Sequence, residues 1–212
     1  SGDGIAESFE QSCARLGRSE IEILYVHDLG ALTHGAAGNK AHMEAFLGSG
    51  YEQLVRLREQ GRIRAFGLGV NECEVCLEVM REAGPLDVIL LAGRLTLLDR
   101  SAEAELVPAC RAASTSLVLG GIFNSGILAT GAKPGATYDY GPAPQEILDR
   151  GAAPLAAAQA QGLPLATAAL QFAIRQPMVA SVLLGTAKPS SLTRNLEALA
   201  QPMPIGAEAL WR

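Results

Sequence analysis

"IEILYVHD", residues 21–28, decides the fold. A short apolar run ends abruptly on His27 and Asp28, and Gly30 follows within two residues. Upstream, "GIAESFEQSCARLG" sets Ile5, Phe9, Cys13 and Leu16 on one helical face, and Gly17 suits the stop. Downstream, "YEQLVRLREQG" is again helical, with Tyr51, Leu54, Val55 and Arg58 on one side, and "IRAFGLGV" is again strand-like. The alternation continues through a helix "CEVCLEVMREAG", a strand "DVILLAG", a helix "SAEAELVPACRAAS" and a strand "SLVLGGIF". A long polar loop, "TGAKPGATYDYGPAP", precedes helical stretches at "QEILDRGAAPLAAAQAQG" and "PLATAALQFAIRQ". "VASVLLG" is the last strand, and "PSSLTRNLEAL" opens a helix with Pro189 in its first turn. Strands apolar on both faces, alternating with amphipathic helices, predict a parallel sheet covered by helices.

The residues that follow each strand carry the Gly, Asn and His. That asymmetry favours a (β/α)8 TIM barrel, whose sites form at the C-terminal strand ends. The rival, an open doubly wound sheet, wants a G-x-G-x-x-G turn after its first strand, and none occurs. Strands are expected near 21–26, 63–69, 87–92, 116–121 and 179–184. These are five, and such a barrel needs eight to close. Five alone would leave two unpaired edges. Either the chain is a piece of a longer protein or the barrel assignment fails.

The chain has 212 residues, 49% of them hydrophobic, and a net charge of -5. That suits one domain spanning 1–212 with a real core. No basic stripe is present to meet nucleic-acid phosphates, and charges or glycines interrupt every run that could span a membrane. "SGDGIAESFEQ" lacks the basic leader and apolar stretch of a signal peptide. The close-spaced pair in "CEVC", Cys73 and Cys76, has no second pair for zinc and reads as helix core, which fits a reducing cytoplasm.

Four strand ends carry chemistry. The first is His27-Asp28. The second is Asn71, whose amide offers donor and acceptor to a ligand carboxamide, and which reads equally as a turn residue. The third is "GGIFNSGIL", 120–128: Gly120 and Gly121 permit close backbone approach, and Asn124, Ser125 and Gly126 can aim N–H groups at an anion. The fourth is "LLGTAKPSSLTRN", 183–195, where Gly185, Thr186, Lys188, Ser190 and Ser191 surround a helix start suited to phosphate. On these residues alone the chain binds a phosphorylated ligand with His27 near the chemistry.

In this order the four segments resemble the aldo-keto reductases. "SFEQSCARLGRSEIEILYVHD" resembles the family's helix-strand unit ending in the catalytic histidine. "LVRLREQGRIRAFGLGVNE" resembles the unit ending in the asparagine that holds the nicotinamide carboxamide, and "LLGTAKPSSLTRNLEAL" the adenosine-phosphate segment. The finer pattern "YVHDLG…THG…GVNE…LLAGRLTLLD…GGIFNSGIL…YDY" is most similar to the NAD-dependent sugar dehydrogenase branch, with its aldose, fucose and galactose dehydrogenases and the related pyridoxal dehydrogenases.

The resemblance implies hydride transfer between a nicotinamide cofactor and a sugar hemiacetal or small aldehyde or alcohol. His27 is then the catalytic residue, with Asp28 and Arg94 at the substrate. The cofactor contacts implied are Asn71, Gly120, Gly121, Phe123, Asn124, Ser125, Gly126, Gly185, Thr186, Lys188, Ser191 and Asn195. It also implies that the sequence starts at about the fourth of eight units, so the family's catalytic Asp, Tyr and Lys have no counterpart and the isolated chain is expected to be inactive. The family's stacking tyrosine is replaced by Gly120 and its glutamine by Ala92. Ser191 stands where NADP-preferring members place an arginine, and losing that cation removes about 1.5–3 kcal/mol of phosphate binding. NAD is therefore expected over NADP, with Lys188 and Arg194 close enough to rescue phosphate binding.

The competing readings are a non-catalytic reductase-like binding or regulatory subunit, and an unrelated phosphate-binding barrel isomerase or aldolase. The latter needs a Schiff-base lysine or a paired carboxylate at a strand end, and none of the three lysines, Lys40, Lys133 and Lys188, closes a strand. Partners are a small-molecule substrate and, at most, a few copies of the same chain. Pro154 is expected either to kink or break its helix or to stand in its first turn; the loop over 129–144 is expected to fold over the cofactor, with Tyr138 and Tyr140 packing in the loop or on substrate.

Overall fold

A computed structural model describes residues 1–207. The strands are β1 (Ile21–His27), β2 (Ile63–Val70), β3 (Val88–Ala92), β4 (Ser116–Gly120), β5 (Thr137–Tyr138), β6 (Gly141–Pro142) and β7 (Val179–Val182). The helices are α1 (Gly2–Leu16), α2 (Ala31–Ala45), α3 (Tyr51–Glu59), α4 (Cys73–Glu82), α5 (Leu106–Ala113), α6 (Ile127–Thr130), α7 (Gln145–Ala160), α8 (Leu165–Ile174) and α9 (Pro189–Ala200). One sheet runs in the order β1-β2-β3-β4-β7, and β5 and β6 form a separate hairpin. The β1–β2 and β2–β3 pairs are parallel, as expected. β1 and β7 are more exposed than apolar strands covered on both faces would be, because each is an end strand of the order.

Contacts divide the chain into two compact units: residues 1–91 with 104–117, and residues 92–103 with the chain from 118 onward. In the first unit, β2 is buried along most of its length. Phe66 anchors it, with the Tyr51 ring edge-on at 5.4 Å and the Arg58 guanidinium 4.8 Å above. Arg58 Nη1 donates to both Asp87 oxygens at 2.8 Å, and Asp87 Oδ2 accepts the Phe66 N–H at 3.0 Å. Gly67 pairs with Val88 so closely that a β-carbon there would collide with the Val88 carbonyl oxygen. Cys73 and Cys76 are both buried in α4, which bears out the core reading of "CEVC". Burial pushes the Cys76 thiol far above the usual range and Cys110 up to about 11, so neither is a ready nucleophile. Leu16, expected inward, is 61% exposed in the last turn of α1, where the chain leaves for β1.

The second unit centres on α8, with Ala168, Ala169, Leu170, Phe172 and Ala173 all buried. Leu98, Ile127, Leu128 and Leu163 pack into the same core. Pro154 does not open a helix: α7 runs through it from Gln145. Two elements add to those read from the sequence. α2 fills 31–45, broken by a non-helical Gly35 (φ 67, ψ 166), and a π-helical turn at Phe46–Gly50 joins it to α3. The polar loop contains the β5–β6 hairpin, turning through Asp139 and Tyr140 at φ 46 and 66. No helix among the described residues is long and apolar enough to cross a membrane, and no group of three or more His, Cys, Asp or Glu among them could hold a metal.

Candidate active site

The first unit presents the histidine. β1 and β2 run parallel with His27 paired to Gly69, and Asn71 lies two residues beyond Gly69. Both therefore sit at the C-terminal edge of the same strand pair. A β-carbon on Gly69 would lie 3.6 Å from His27 Cδ2, so the bare glycine backbone forms the floor under the ring. The Asp28 N–H donates to the Gly69 carbonyl at 2.9 Å, and Asp28 takes a left-handed φ of 54. Its carboxylate reaches back to the imidazole, with Oδ2 3.2 Å from His27 Nδ1. A carboxylate on Nδ1 restricts ring rotation and leaves Nε2 as the outward nitrogen. The imidazole itself is 80% exposed, so it is held by the loop and not by packing. A cleft of about 290 Å³ lies beside it, lined by Ile5, Phe9, Leu24, Tyr25 and His27.

The second unit holds a cavity of about 500 Å³. Its walls bring together four of the expected cofactor contacts, Phe123, Gly185, Ser191 and Asn195. α9 begins at Pro189, as the sequence predicts. Arg194 Nη2 donates to Ser191 Oγ at 3.1 Å, which fixes the guanidinium on the same wall. Glu197, Ala198 and Gln201 continue the lining, together with Thr130 and Thr167. Sequence reasoning missed these. The signal for Ala198 on α9 was its periodicity, since 191, 194, 195 and 198 recur at helical spacing. The cavity is apolar at Phe123, Pro164 and Ala166 and polar along α9, and its size is that of a small-molecule pocket.

Other expected contacts lie outside this lining. The lining does not include Gly120, Gly121, Asn124, Ser125, Gly126, Thr186 or Lys188. Thr186 Oγ1 donates to the Lys188 carbonyl at 3.1 Å, shaping the entry to α9. The turn at 124–126 is left-handed throughout (φ 44, 54 and 97). Its N–H groups are largely spent within the turn: Asn124 donates to Gly121 O at 2.8 Å and Gly126 to Phe123 O at 3.0 Å. The Asn124 side chain is buried, accepting from Thr96 Oγ1 at 2.6 Å and donating to Gly93 O at 3.1 Å. That amide pins the start of the turn to the segment after β3.

Arg94, expected at the substrate, is committed inside the second unit. Its Nη1 and Nη2 donate to the two Asp139 oxygens at 3.2 and 2.6 Å, and Nη1 also reaches Tyr138 Oη at 3.3 Å. Asp99 Oδ2 lies 3.7 Å from the guanidinium and accepts the Tyr138 O–H at 2.6 Å. Burial would raise the Asp99 carboxyl, but hydrogen bonds from Ser101 and Tyr138 and the Arg94 charge together hold it below the usual carboxylate range. Burial and the Asp99 carboxylate push the Tyr138 phenol well up, so it stays a neutral donor. Through this cluster the β5–β6 hairpin is tied to residues 94–99, while Tyr140 is left 93% exposed.

The described residues 1–207 match the family model "Aldo/keto reductase family" throughout. The chain is 41% identical over 203 residues to pyridoxal 4-dehydrogenase of Microbacterium luteolum, covering 95% of this chain and 59% of that protein. It is 35% identical over 209 residues to D-threo-aldose 1-dehydrogenase of a Pseudomonas species, covering 98% of this chain and 60% of that protein. It thus spans about three fifths of the length of these curated relatives. Among solved structures, an aldo-keto reductase from Bacillus halodurans in its holo form superposes with a TM-score of 0.71 at 21% identity, over 100% of this chain and 66% of that one. That likeness gives the α/β fold, and the family match over residues 1–207 gives the ancestry: the chain belongs to the aldo/keto reductase family.

Proposed function

We propose that the protein is a nicotinamide-dependent dehydrogenase acting on a sugar hemiacetal or a small aldehyde or alcohol. The observation that carries the reading is His27 at the end of β1, with Asp28 on Nδ1 and Asn71 at the same strand edge. A nicotinamide dinucleotide, when bound, would supply the hydride acceptor for oxidation of a hemiacetal to a lactone, with the proton of the substrate oxygen passing to water. His27 Nε2 hydrogen-bonds that oxygen and orients it, and Asp28 keeps the imidazole turned to do so. The Asn71 amide meets a carboxamide with donor and acceptor. In the second unit, Asn195, Ser191 and Arg194 on the cavity wall hold the adenosine part. NAD is preferred because Ser191 supplies no cation, and Arg194, lying on Ser191 Oγ, sets how much NADP is tolerated.

The dehydrogenases named among the relatives act on pyridoxal and on D-threo-aldoses, and both classes are candidate substrates here. The test uses the protein as its gene encodes it. Dissociation constants for NAD and NADP are measured by titration calorimetry, and NADH formation is followed with a panel of aldoses and pyridoxal. The reading expects tighter NAD binding and turnover of at least one panel member. Tighter NADP binding removes the cofactor preference. Binding without turnover of any substrate favours a non-catalytic binding subunit.

A further inference from the structure

We propose that Glu72 is a positioning residue for His27, holding the imidazole's loop from the neighbouring strand. The proposal rests on the reading of His27 given above. Helix α2 starts after Gly30, which has no side chain to cap it. The cap comes instead from Glu72, some forty residues on in the chain: Oε1 accepts the Ala31 N–H at 3.1 Å and Oε2 accepts the Leu32 N–H at 3.0 Å. A carboxylate on two successive first-turn amides satisfies donors that the helix leaves open and meets the positive end of its dipole. Gly30 is part of the same device. It is buried, and a β-carbon there would collide with Glu72 Oε2, so the residue that could cap the helix from within is absent where the external carboxylate enters.

The consequence is a loop gripped at both ends by one segment. Residues 27–30 leave β1 where the Asp28 N–H meets the Gly69 carbonyl, and they enter α2 where Glu72 caps it. Gly69 and Glu72 flank Asn71, so the stretch that places the carboxamide-binding asparagine also sets the path of the histidine loop. The imidazole is mostly exposed and, among the described residues, meets the adjacent Asp28 carboxylate, so the backbone of this loop is what carries it. Continuing helix does little to help, because α2 breaks at Gly35 after about one turn.

The test uses Glu72→Ala and Glu72→Gln in the full gene product, each alone and combined with His27→Ala. Three quantities are read: hydrogen exchange at the Ala31 and Leu32 amides, the His27 ring signals by NMR, and kcat beside KM for the oxidised substrate. The expected result is exchange faster by about tenfold or more, a broadened or split His27 signal, and kcat lower by roughly tenfold, with NAD affinity and melting temperature nearly unchanged. Displacements of about 1 Å commonly cost up to about 100-fold in rate. In the His27→Ala background, removing Glu72 should lower kcat no further. An equal loss in both backgrounds, or an unmoved ring signal with exposed amides, overturns the proposal. If Glu72→Ala fails to fold, Glu72→Gln decides, since it keeps the size and one acceptor oxygen. If the wild type turns over no substrate, the dehydrogenase reading fails, and the ring signal and exchange alone decide the role of Glu72.

Discussion

Tyr138 shows how a single phenol fixes a loop. Its O–H donates to Asp99 at 2.6 Å, and its oxygen lies 3.3 Å from Arg94 Nη1. Tyr138→Phe leaves a buried carboxylate short of one donor and should lower stability by about 1–3 kcal/mol, read as the shift in the urea midpoint. Asp99 gives the same cluster a pH signature. Its folded value lies below its ordinary one, so its contribution is complete above the unfolded carboxylate range, near pH ~4, and is lost as pH falls through the lower folded value. Asp99→Asn should flatten the acid limb of stability below about pH 4 relative to wild type; an unchanged limb would remove Asp99 from the account. At this scale, the placement of His27 and Asn71 at strand ends was legible, because each closes an apolar run. Arg94 and Asn124 were not, because their partners Asp139 and Gly93 lie 45 and 31 residues away and no periodicity links them.

At the scale of elements, close backbone approach decides what can change. Gly67→Ala would drive a β-carbon into the Val88 carbonyl and part β2 from β3. The expected outcome is a loss of about 3 kcal/mol or more, seen as collapse of the cooperative melt in circular dichroism. Pro154 is the opposite case. It sits half-buried inside α7 with no N–H to give, so Pro154→Ala should stabilise α7 and raise the melting temperature by several degrees. The sheet strands were legible to within one or two residues at each end because apolar runs of β-branched residues are bounded by Gly, Asn and Pro. α2 was not, because only Met43 along it is buried and Gly35 interrupts it, leaving no apolar period to read. The β5–β6 hairpin was hidden for a related reason: its turn is Asp139-Tyr140 without a glycine, and the Arg94 and Asp99 contacts hold it in place of turn chemistry.

For the whole molecule, the family match runs over residues 1–207, so both units belong to one aldo/keto reductase chain. The first unit contributes an imidazole and an amide at one strand edge, and the second a cavity of about 500 Å³ with α9 along its wall. Ser191→Arg should shift preference toward NADP by about tenfold or more, since a new guanidinium on that wall meets the 2′-phosphate. The central claim is that His27 acts at the reacting oxygen. It is tested most directly by the initial rate of NADH formation at saturating NAD, with wild type and His27→Ala assayed side by side as full gene products on the best aldose or pyridoxal substrate. The account predicts a fall in kcat of about 100-fold or more, with the NAD dissociation constant unchanged. Equal rates in the two proteins would contradict it.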